Sequence, residues 1–436
     1  MLLFSAVVAL LIIFIPASTP PLVLASDLGF LGLEASKLYL KGYLKNETSL
    51  HIHSPHDVTK IKNIFHLELK YTFNNNLKLF TLGRVFWDAD NDIEDDKDLE
   101  SWELYMDLRL KDIDLRLGRQ QVVWGEADGL RINDIINPQD FKEFILQDYI
   151  DSRIPLWMGR IDYYVANFTF EGLIIPEFKR NRFPRGESEW EFYNPSPSPF
   201  FRLTRNNNKK PPHCFRNWEW GLRVFKFIKG WDLSMSYFYT WDDSPIFHRK
   251  VKRFPESLMP IFKLSPRHHR FHVFGFTYNK VIGPLVFRGE GGYYLNKHLA
   301  SSDPQDSDGF KKRDYLYYML GCDYHVFHNM DLNLQFIQKV ISHYDRYFSE
   351  DSVQNSLTLF IQTDFLHETL KPVLLVIYEA NEGDFWMSPK VSYDISDTIQ
   401  VVLGGEFFEG GGRQSFFGQF NSNDQIYCEL KYSFNY

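Results

Sequence analysis

The chain is built from short segments in which apolar and polar residues take alternate positions. In the segment that ends the chain, polar residues separate six apolar or aromatic ones, namely Ile426, Cys428, Leu430, Tyr432, Phe434 and Tyr436. Alternate side chains of a strand point to opposite faces, so this segment has one apolar and one polar face. Residues 65–73 and 102–110 repeat the pattern. The alternation predicts strands that lie between an apolar and an aqueous environment.

The links between these segments fall into two length classes that take turns along the chain. Short links are expected at residues 74–76, 111–112, 166–167, 229–230, 279–283, 325–330, 367–371 and 395–397, with a longer polar link between each neighbouring pair. Outer-membrane barrels have short periplasmic turns and long external loops. We therefore predict an all-β fold, a transmembrane antiparallel up-and-down β-barrel of about eighteen strands. Sixteen strands follow if residues 161–165 and 168–175 form one strand, and either number is wide enough for an aqueous channel.

A soluble β-sandwich would show the same alternation with its polar face outward. Residues 1–25 read as an export signal, because an apolar stretch ends at Pro16 and Ala25 offers a cleavage position. The positive residues that usually begin such a signal are absent. The chain also stops on an aromatic residue, and we interpret Tyr432, Phe434 and Tyr436 as the signal read by the barrel assembly machinery. These features favour a barrel over residues 26–436, located in the bacterial outer membrane and surrounded by its lipid.

Composition agrees with this interpretation and excludes several other classes. Aromatic residues make up 17% of a chain whose mean hydropathy is only -0.32, as expected when lipid-facing residues alternate with lumen-facing ones. The net charge of -8 argues against nucleic-acid binding. Three cysteines cannot all pair, and we interpret Cys322 and Cys428 as small hydrophobic residues.

Catalytic and metal-binding patterns are weak throughout the chain. His51, His53 and His56 have a spacing that could hold a transition metal, but no carboxylate stands at a supporting distance. The glycine-rich runs at residues 289–292 and 410–412 lack the strand-to-helix context of a phosphate site. We therefore expect no enzyme activity, no cofactor and no metal.

Three predicted external stretches are strongly charged. Residues 88–100 are acidic, while residues 179–216 and 248–272 are rich in Lys, Arg and His. Opposite charges on neighbouring loops either pin a lid together or create a field that sorts solutes at the entrance, and the alternative is that they are simply solvated.

Residues 118–160 differ from the other links because they are long and apolar. A loop with this much apolar surface must pack somewhere, and the barrel interior is the nearest shelter. We therefore expect it to fold inward and narrow the lumen. Trp124, Pro138, Phe141 and Trp157 are the residues expected to pack it.

The same region resembles a known family. The elements G-R-Q, W-G-E-A-D-G, N-P-Q-D-F and R-I-P within residues 118–155 are similar to those of the porin-like outer-membrane family catalogued as domain of unknown function 1302. Weaker similarity extends to alginate-export and phosphate-selective porins. The resemblance implies an outer-membrane barrel, in some members associated with systems that export envelope lipid or hydrophobic solutes, and it brings no agreed substrate.

Five charged residues are candidates for a constriction if this segment folds inward: Arg119, Glu126, Asp128, Arg131 and Asp134. Facing charges at such a point set solute selectivity. The same residues would alternatively satisfy one another and buried backbone groups, which locks the loop to the wall.

The sequence thus predicts an outer-membrane channel that is porin-like. One alternative is an outer-membrane component of a lipid or hydrophobic-molecule export system that works with inner-membrane or periplasmic partners. The second is a plugged structural or adhesion barrel.

Overall fold

The computed structural model describes residues 34–54, 56–88, 97–184, 188–192, 202–207, 209–252, 261–303, 305–306, 308–326, 329–412 and 415–436. The predicted export signal at residues 1–25 lies outside the described residues. So do residues 89–96 of the acidic stretch, together with parts of both basic stretches.

Eighteen strands of the described chain form one antiparallel sheet that closes on itself. They are β1 Leu38–His51, β2 Val58–Thr72, β3 Leu77–Asp88, β4 Lys97–Leu110, β5 Ile113–Gln120, β6 Leu156–Val165, β7 Phe168–Ile175, β9 Glu219–Ile228, β10 Trp231–Trp241, β13 Arg270–Ile282, β14 Leu285–Ala300, β15 Phe310–Val326, β16 Met330–Ile341, β17 Val353–Thr363, β18 Leu370–Glu379, β19 Asp384–Asp394, β20 Ile399–Glu409 and β21 Gln425–Asn435. Closure comes from β1 and β21, which pair from Lys41 with Asn435 to His51 with Gln425. The predicted barrel is confirmed, and β6 and β7 are two strands rather than one.

A second, three-stranded sheet lies in the long links after β7 and β10. It contains β8 Arg202–Arg205, β11 Ile246–Lys252 and β12 Ile261–Arg267. The described helices are short: α1 is Tyr149–Ser152, and single 3-10 turns occur at Ala35–Lys37, Phe215–Asn217 and Gly418–Phe420. None of the helices in the described residues is long and apolar enough to cross a membrane.

The two faces of the closing strand are those that alternation predicts. Ile426, Leu430 and Tyr432 are 48%, 53% and 47% exposed on the outside of the barrel, while Gln425 is 2% exposed on the inside. The outer face is therefore the apolar surface that contacts lipid, and the chain is an outer-membrane barrel.

The fourth strand departs from strict alternation. The pairing of β3 with β4 shifts between Leu82 and Gly83, which adds a β-bulge to the ladder. A bulge moves the following side chain to the other face. Trp102 is consequently only 6% exposed, and Arg84 lies 4.8 Å from its ring, whereas Leu110 of the same predicted apolar face is 46% exposed.

All eight predicted short links connect strands at one end of the barrel. The opposite end carries the longer links, with two exceptions. Residues 52–57 between β1 and β2 are six residues, no longer than residues 364–369 between β17 and β18 at the other end. Residues 380–383 between β18 and β19 are as short as the turns at the other end. The predicted strict exchange of short and long links therefore fails at these two loops.

The lumen segment and the candidate constriction

Residues 121–155 between β5 and β6 fold into the barrel, and we call them the lumen segment. Asn137 joins the two ends of its base, because its side-chain oxygen accepts a hydrogen bond from the Val122 N–H at 2.8 Å. Its side-chain nitrogen donates to the carbonyl oxygens of Ile154 at 3.0 Å and Gln120 at 3.3 Å. One buried amide thus closes the segment at the point where it leaves the wall.

An apolar cluster fixes the segment to one side of the barrel. Trp124 is 2% exposed and packs with Val122, Ile136 and Phe238. The indole N–H of Trp124 donates to a carboxylate oxygen of Glu171 on β7 at 2.9 Å. The predicted packing role of Trp124 agrees with this position, since the ring is buried and its one polar group has a partner.

Glu290 of β14 receives the backbone of the segment. Its carboxylate accepts hydrogen bonds from the N–H groups of Glu126 at 2.5 Å, Ala127 at 2.8 Å and Asn133 at 2.5 Å. A carboxylate that accepts several N–H bonds substitutes for the partners these groups would have in a sheet. Gly125 permits the close approach, because a Cβ atom there would lie 2.9 Å from the Asp134 nitrogen and 3.2 Å from the Glu290 carboxylate.

Glu126 and Asp128 lie in the lumen near the short-turn end of the barrel. Asp128 forms an ion pair with Arg288 of β14 at 2.6 Å and accepts a hydrogen bond from the Gln335 side chain at 2.9 Å. Arg288 also contacts Asp323 of β15 at 2.9 Å. Glu126 accepts a hydrogen bond from the Asn279 side chain. Two of the predicted constriction residues therefore meet charged and polar residues of the wall formed by β13 to β16.

Arg131 and Asp134 bind to other residues of the segment itself. Asp134 is paired with Arg153 at 2.7 Å and with Arg131 at 3.3 Å, and its side chain is 6% exposed. Arg131 also donates to the Ser152 hydroxyl at 2.6 Å. These contacts fit the locking role that the sequence left open, because both charges are enclosed within the segment.

Arg119 lies on the outer face of β5. It pairs with Leu104 on one side and with Trp157 on the other, next to Leu117, which is 60% exposed. Its guanidinium donates to the Pro155 carbonyl oxygen at 3.4 Å. The prediction of a lumen position for Arg119 is therefore wrong, because strand alternation directs it away from the lumen.

The prediction that Trp157 packs the segment is also wrong. It is 46% exposed on the outer face, while its neighbours Leu156 and Met158 are buried inside at 2% and 4%. Pro138 is buried within the segment as expected. Phe141 is half-buried and its ring lies 5.6 Å from that of Phe183.

The far part of the segment reaches a different wall through Phe144. This residue is 1% exposed, and its ring lies 4.5 Å from that of Phe420 and 6.2 Å from that of Phe408 on β20. The cluster also includes Trp190 and Trp386. No local feature of the sequence indicates these partners, since they are far apart along the chain.

Ion pairs hold the same part of the segment to β2. Glu143 contacts Lys62 and lies 2.6 Å from Lys60, and Lys60 in turn lies 2.5 Å from Glu47 of β1. Nearby, Arg84 of β3 lies 3.2 Å from Asp151. The segment therefore crosses the lumen from the β7 and β14 side to the β20, β2 and β3 side.

A cavity lies on each side of this crossing among the described residues. The one toward the long loops has a volume of about 700 Å³, and its lining includes Arg131, Lys297, Lys339, Glu350 and Glu379. The one toward the short turns has a volume of about 570 Å³ along β1 to β5, and its lining includes Lys41, Glu68, Lys70, Asp107 and Arg116. Both are lined by charges of both signs.

Carboxylates lie beside the histidines around the first long link, so the expectation that none stands at a supporting distance is wrong. His51 lies 2.9 Å from Asp57 and 2.8 Å from Glu189, and His53 lies 3.0 Å from Asp424. Among the described residues, no group of three or more His, Cys, Asp or Glu side chains is arranged to hold a metal ion.

Residues 57–434 match the family described as "Protein of unknown function (DUF1302)". The chain belongs to this family. The match covers the barrel and the lumen segment together, which confirms the resemblance found in residues 118–155. A search of the curated proteins finds no match to the sequence of this DUF1302 protein.

Solved outer-membrane porins share the fold of the DUF1302 protein. Pseudomonas aeruginosa OccK2 (OpdF), in complex with glucuronate, is 11% identical with a TM-score of 0.55, over 92% of this chain and 98% of the other. OccK3 (OpdO) of the same organism is 11% identical with a TM-score of 0.54, over 92% and 96%. Acinetobacter baumannii OccAB3 is 10% identical with a TM-score of 0.51, over 92% and 100%. At these identities the likeness concerns the fold alone.

Proposed function

We propose that the protein is a channel through which small polar solutes cross the outer membrane beside the lumen segment. The observation that carries this proposal is the pair of cavities, of about 700 Å³ and 570 Å³, that remain above and below the crossing. Wide barrels leave an aqueous lumen unless something fills it. Here the segment narrows the lumen and leaves wetted space at both ends.

The chemistry of the lining favours polar solutes over apolar ones. Lys41, Lys70 and Arg116 face the cavity near the turns, together with Glu68 and Asp107. An apolar molecule would gain little from such a wall, because displacing water from charged groups costs free energy. The lining of this cavity thus favours polar solutes, whereas the larger cavity combines charged residues with aromatic ones such as Phe141, Tyr294 and Phe416.

Asp128 and Arg288 are the residues we expect to act on a passing solute. Their pair lies on the crossing segment and the adjacent wall, and the Asp128 side chain is 45% exposed. Charged groups that face each other across a narrow point sort solutes by charge. The proposed channel therefore has its selective point near the short-turn end.

A conductance experiment with a shortened segment tests the proposal. The barrel is inserted into planar bilayers, and currents are compared with those of a variant in which residues 126–135 are replaced by a short Gly-Ser linker. We expect stepwise currents from the native protein and larger steps from the variant. The replaced residues are those that contact Glu290 and Arg288, and their removal should widen the lumen. Replacement of residues 364–369, the turn between β17 and β18, is the control, because these residues do not line either cavity. It should leave the step size nearly unchanged.

Folding of both variants is checked first by gel electrophoresis. A folded barrel migrates differently in the unheated sample than in the heat-denatured sample. Silence of the folded native protein and of the folded variant would favour a plugged structural barrel. Because OccK2 was solved with glucuronate, uptake of glucuronate into liposomes, with glucose and glucosamine alongside, is a reasonable first solute test for this chain.

A further inference from the structure

The external sheet and its flanks carry an excess of positive charge. Residues 202–218, 246–252 and 261–272 contain five, three and three lysines and arginines, and none of these ranges contains an aspartate or glutamate. The whole chain has a net charge of -8, so the excess is local. A patch of this kind attracts anions.

Pairing in the fold brings the cations of different ranges together. Lys209 and Arg267 are partners in an isolated parallel bridge, and Arg267 is exposed. Arg270 donates to the carbonyl oxygens of Arg216 and Trp218, each at 3.1 Å. Lys209, Lys210, Arg216, Arg267 and Arg270 therefore form one surface, which we call the basic rim.

The basic rim continues directly into the lipid-facing surface. Arg270 shares the outer face of β13 with Phe274, which is 50% exposed, and it lies 4.5 Å from the rings of both Tyr239 and Trp241. Phe215 is 80% exposed, and Trp220 on the outer face of β9 is 46% exposed. Aromatic residues of barrels lie at the membrane interface. The cations thus stand at the level where lipid headgroups meet the barrel.

One carboxylate, that of the buried Glu219, lies near Arg270 of the basic rim. Two aspartates lie on the other side of the external sheet. Asp303 and Asp306 accept hydrogen bonds through their carbonyl oxygens from Arg249 of β11, and the Asp303 carboxylate is paired with Lys311 at 2.8 Å. The Asp303 carboxylate therefore neutralises Lys311 at the edge of β15 rather than a cation of the basic rim.

We propose that the basic rim binds the phosphate groups of a phosphorylated glycolipid in the outer leaflet, while the neighbouring aromatic face packs against its acyl chains. Guanidinium and ammonium groups bind phosphate through charge-assisted hydrogen bonds. The long-loop end of an outer-membrane barrel faces outward, and phosphorylated glycolipid is the anionic lipid of that leaflet. An aromatic surface directly below the cations matches a ligand with a charged head and apolar chains.

Binding of purified bisphosphorylated lipid A to the detergent-solubilised barrel, measured by native mass spectrometry and by titration, tests the proposal. The test variant combines Lys209→Gln, Lys210→Gln and Arg216→Gln, all at exposed positions. The control combines Lys111→Gln, Lys229→Gln and Lys371→Gln on the short turns at the opposite end. Each basic residue near an anionic surface contributes a roughly fivefold gain in affinity, so the test variant should bind on the order of a hundredfold more weakly.

The native protein and the control should bind bisphosphorylated lipid A alike, and both should bind dephosphorylated lipid A far more weakly. Equal affinity for the two lipids, or unchanged binding by the folded test variant, would overturn the proposal. If the test variant keeps lipid binding but alters the reversal potential of the channel, the basic rim attracts soluble anions instead and the proposal is overturned. Lipid binding does not depend on ion conductance, so this experiment is independent of the proposed channel function.

Discussion

Asp128 differs from the other predicted constriction residues in how much of its side chain meets the lumen. Its side chain is 45% exposed, compared with 27% for Glu126 and 6% for Asp134. Its partner Arg288 is shared with Asp323. Asp128 and Asp323 are thus the two carboxylates that balance this guanidinium, which also donates to the Glu126 carbonyl oxygen at 3.0 Å.

Substitution of Asp128 should change which ions pass. Asp128→Asn removes one negative charge at the narrow point and should favour anions, while Arg288→Gln should favour cations. We expect each change in permeability ratio to correspond to about 0.5–1 kcal/mol, as for other partly exposed charges. The reversal potential across a KCl gradient in planar bilayers measures this ratio.

Asp112→Asn, at an exposed position on a short turn, removes the same charge far from the proposed narrow point. Because Asp112 lines neither cavity and does not contact Arg288, its substitution should leave the reversal potential nearly unchanged. Equal shifts from Asp112→Asn and Asp128→Asn would place the selective point elsewhere.

Single residues also show where sequence reasoning ends. The carboxylate of Glu290 accepts three backbone N–H bonds from the lumen segment. In the sequence it is one polar residue of a strand, like many others that face the lumen. Its partner is more than a hundred and fifty residues away, and nothing local distinguishes it.

At the scale of elements, the strands and turns were predictable because alternation and turn composition are local properties. The bulge between Leu82 and Gly83 was not, since it depends on how two strands pair. The external sheet was also missed. Its strand β8 has only four residues and pairs in parallel with β12, so it carries no usable alternation.

A histidine cluster joins the external sheet to the rim of the barrel. His248 of β11 and His269, just before β13, share a hydrogen bond of 2.7 Å between ring nitrogens, and His269 stacks on His298 with centroids 3.8 Å apart. Burial, together with the neighbouring His248, lowers the pKa of His269 to about 4. The charged groups nearest to this ring include Asp242, Lys312 and Arg267.

Acid should therefore loosen the external sheet. When the external sheet is docked on the barrel rim, the pKa of His269 is lower than the ordinary value of about 6.5. The state in which the sheet has detached therefore binds protons first as pH falls. Docking loses stability between about pH 6.5 and pH 4, and two charged rings cannot share the hydrogen bond. Hydrogen exchange of β11 and β12, corrected for intrinsic rates, should increase between about pH 7.5 and pH 5.

His269→Asn should remove most of this pH dependence, while β16 and β17 of the barrel wall serve as internal controls that keep their protection. Protection of β11 and β12 that does not change over this range would show that the histidines do not control docking.

At the scale of the whole molecule, the lumen segment ties distant strands to one another. It is anchored by Trp124 to β7, by Glu290 to β14, by Phe144 to β20 and by Glu143 to β2. The barrel itself is closed by hydrogen bonds between β1 and β21. The segment therefore adds contacts inside a wall that closes without it. Alternation of apolar and polar residues predicts the wall, whereas the length and apolar content of residues 118–160 predict the inward-folded segment.

The end of the chain allows assembly and stability to be separated. The backbone of Tyr436 exchanges hydrogen bonds with Leu40 at 2.7 Å and 3.0 Å, whereas its side chain is 67% exposed. A backbone bond survives Tyr436→Ala, and substitution of an exposed side chain changes the free energy of unfolding by no more than about 0.5 kcal/mol. If the terminal aromatic is read by the assembly machinery, Tyr436→Ala should reduce the amount of folded barrel in outer membranes several-fold. The same variant, refolded in detergent, should unfold at nearly the native urea concentration.

Tyr393→Ala, which removes a 44% exposed tyrosine near the same end of β19, is the matched control and should keep native levels in cells. Equal cellular levels for the two variants would mean that the terminal ring acts as an ordinary lipid-facing residue.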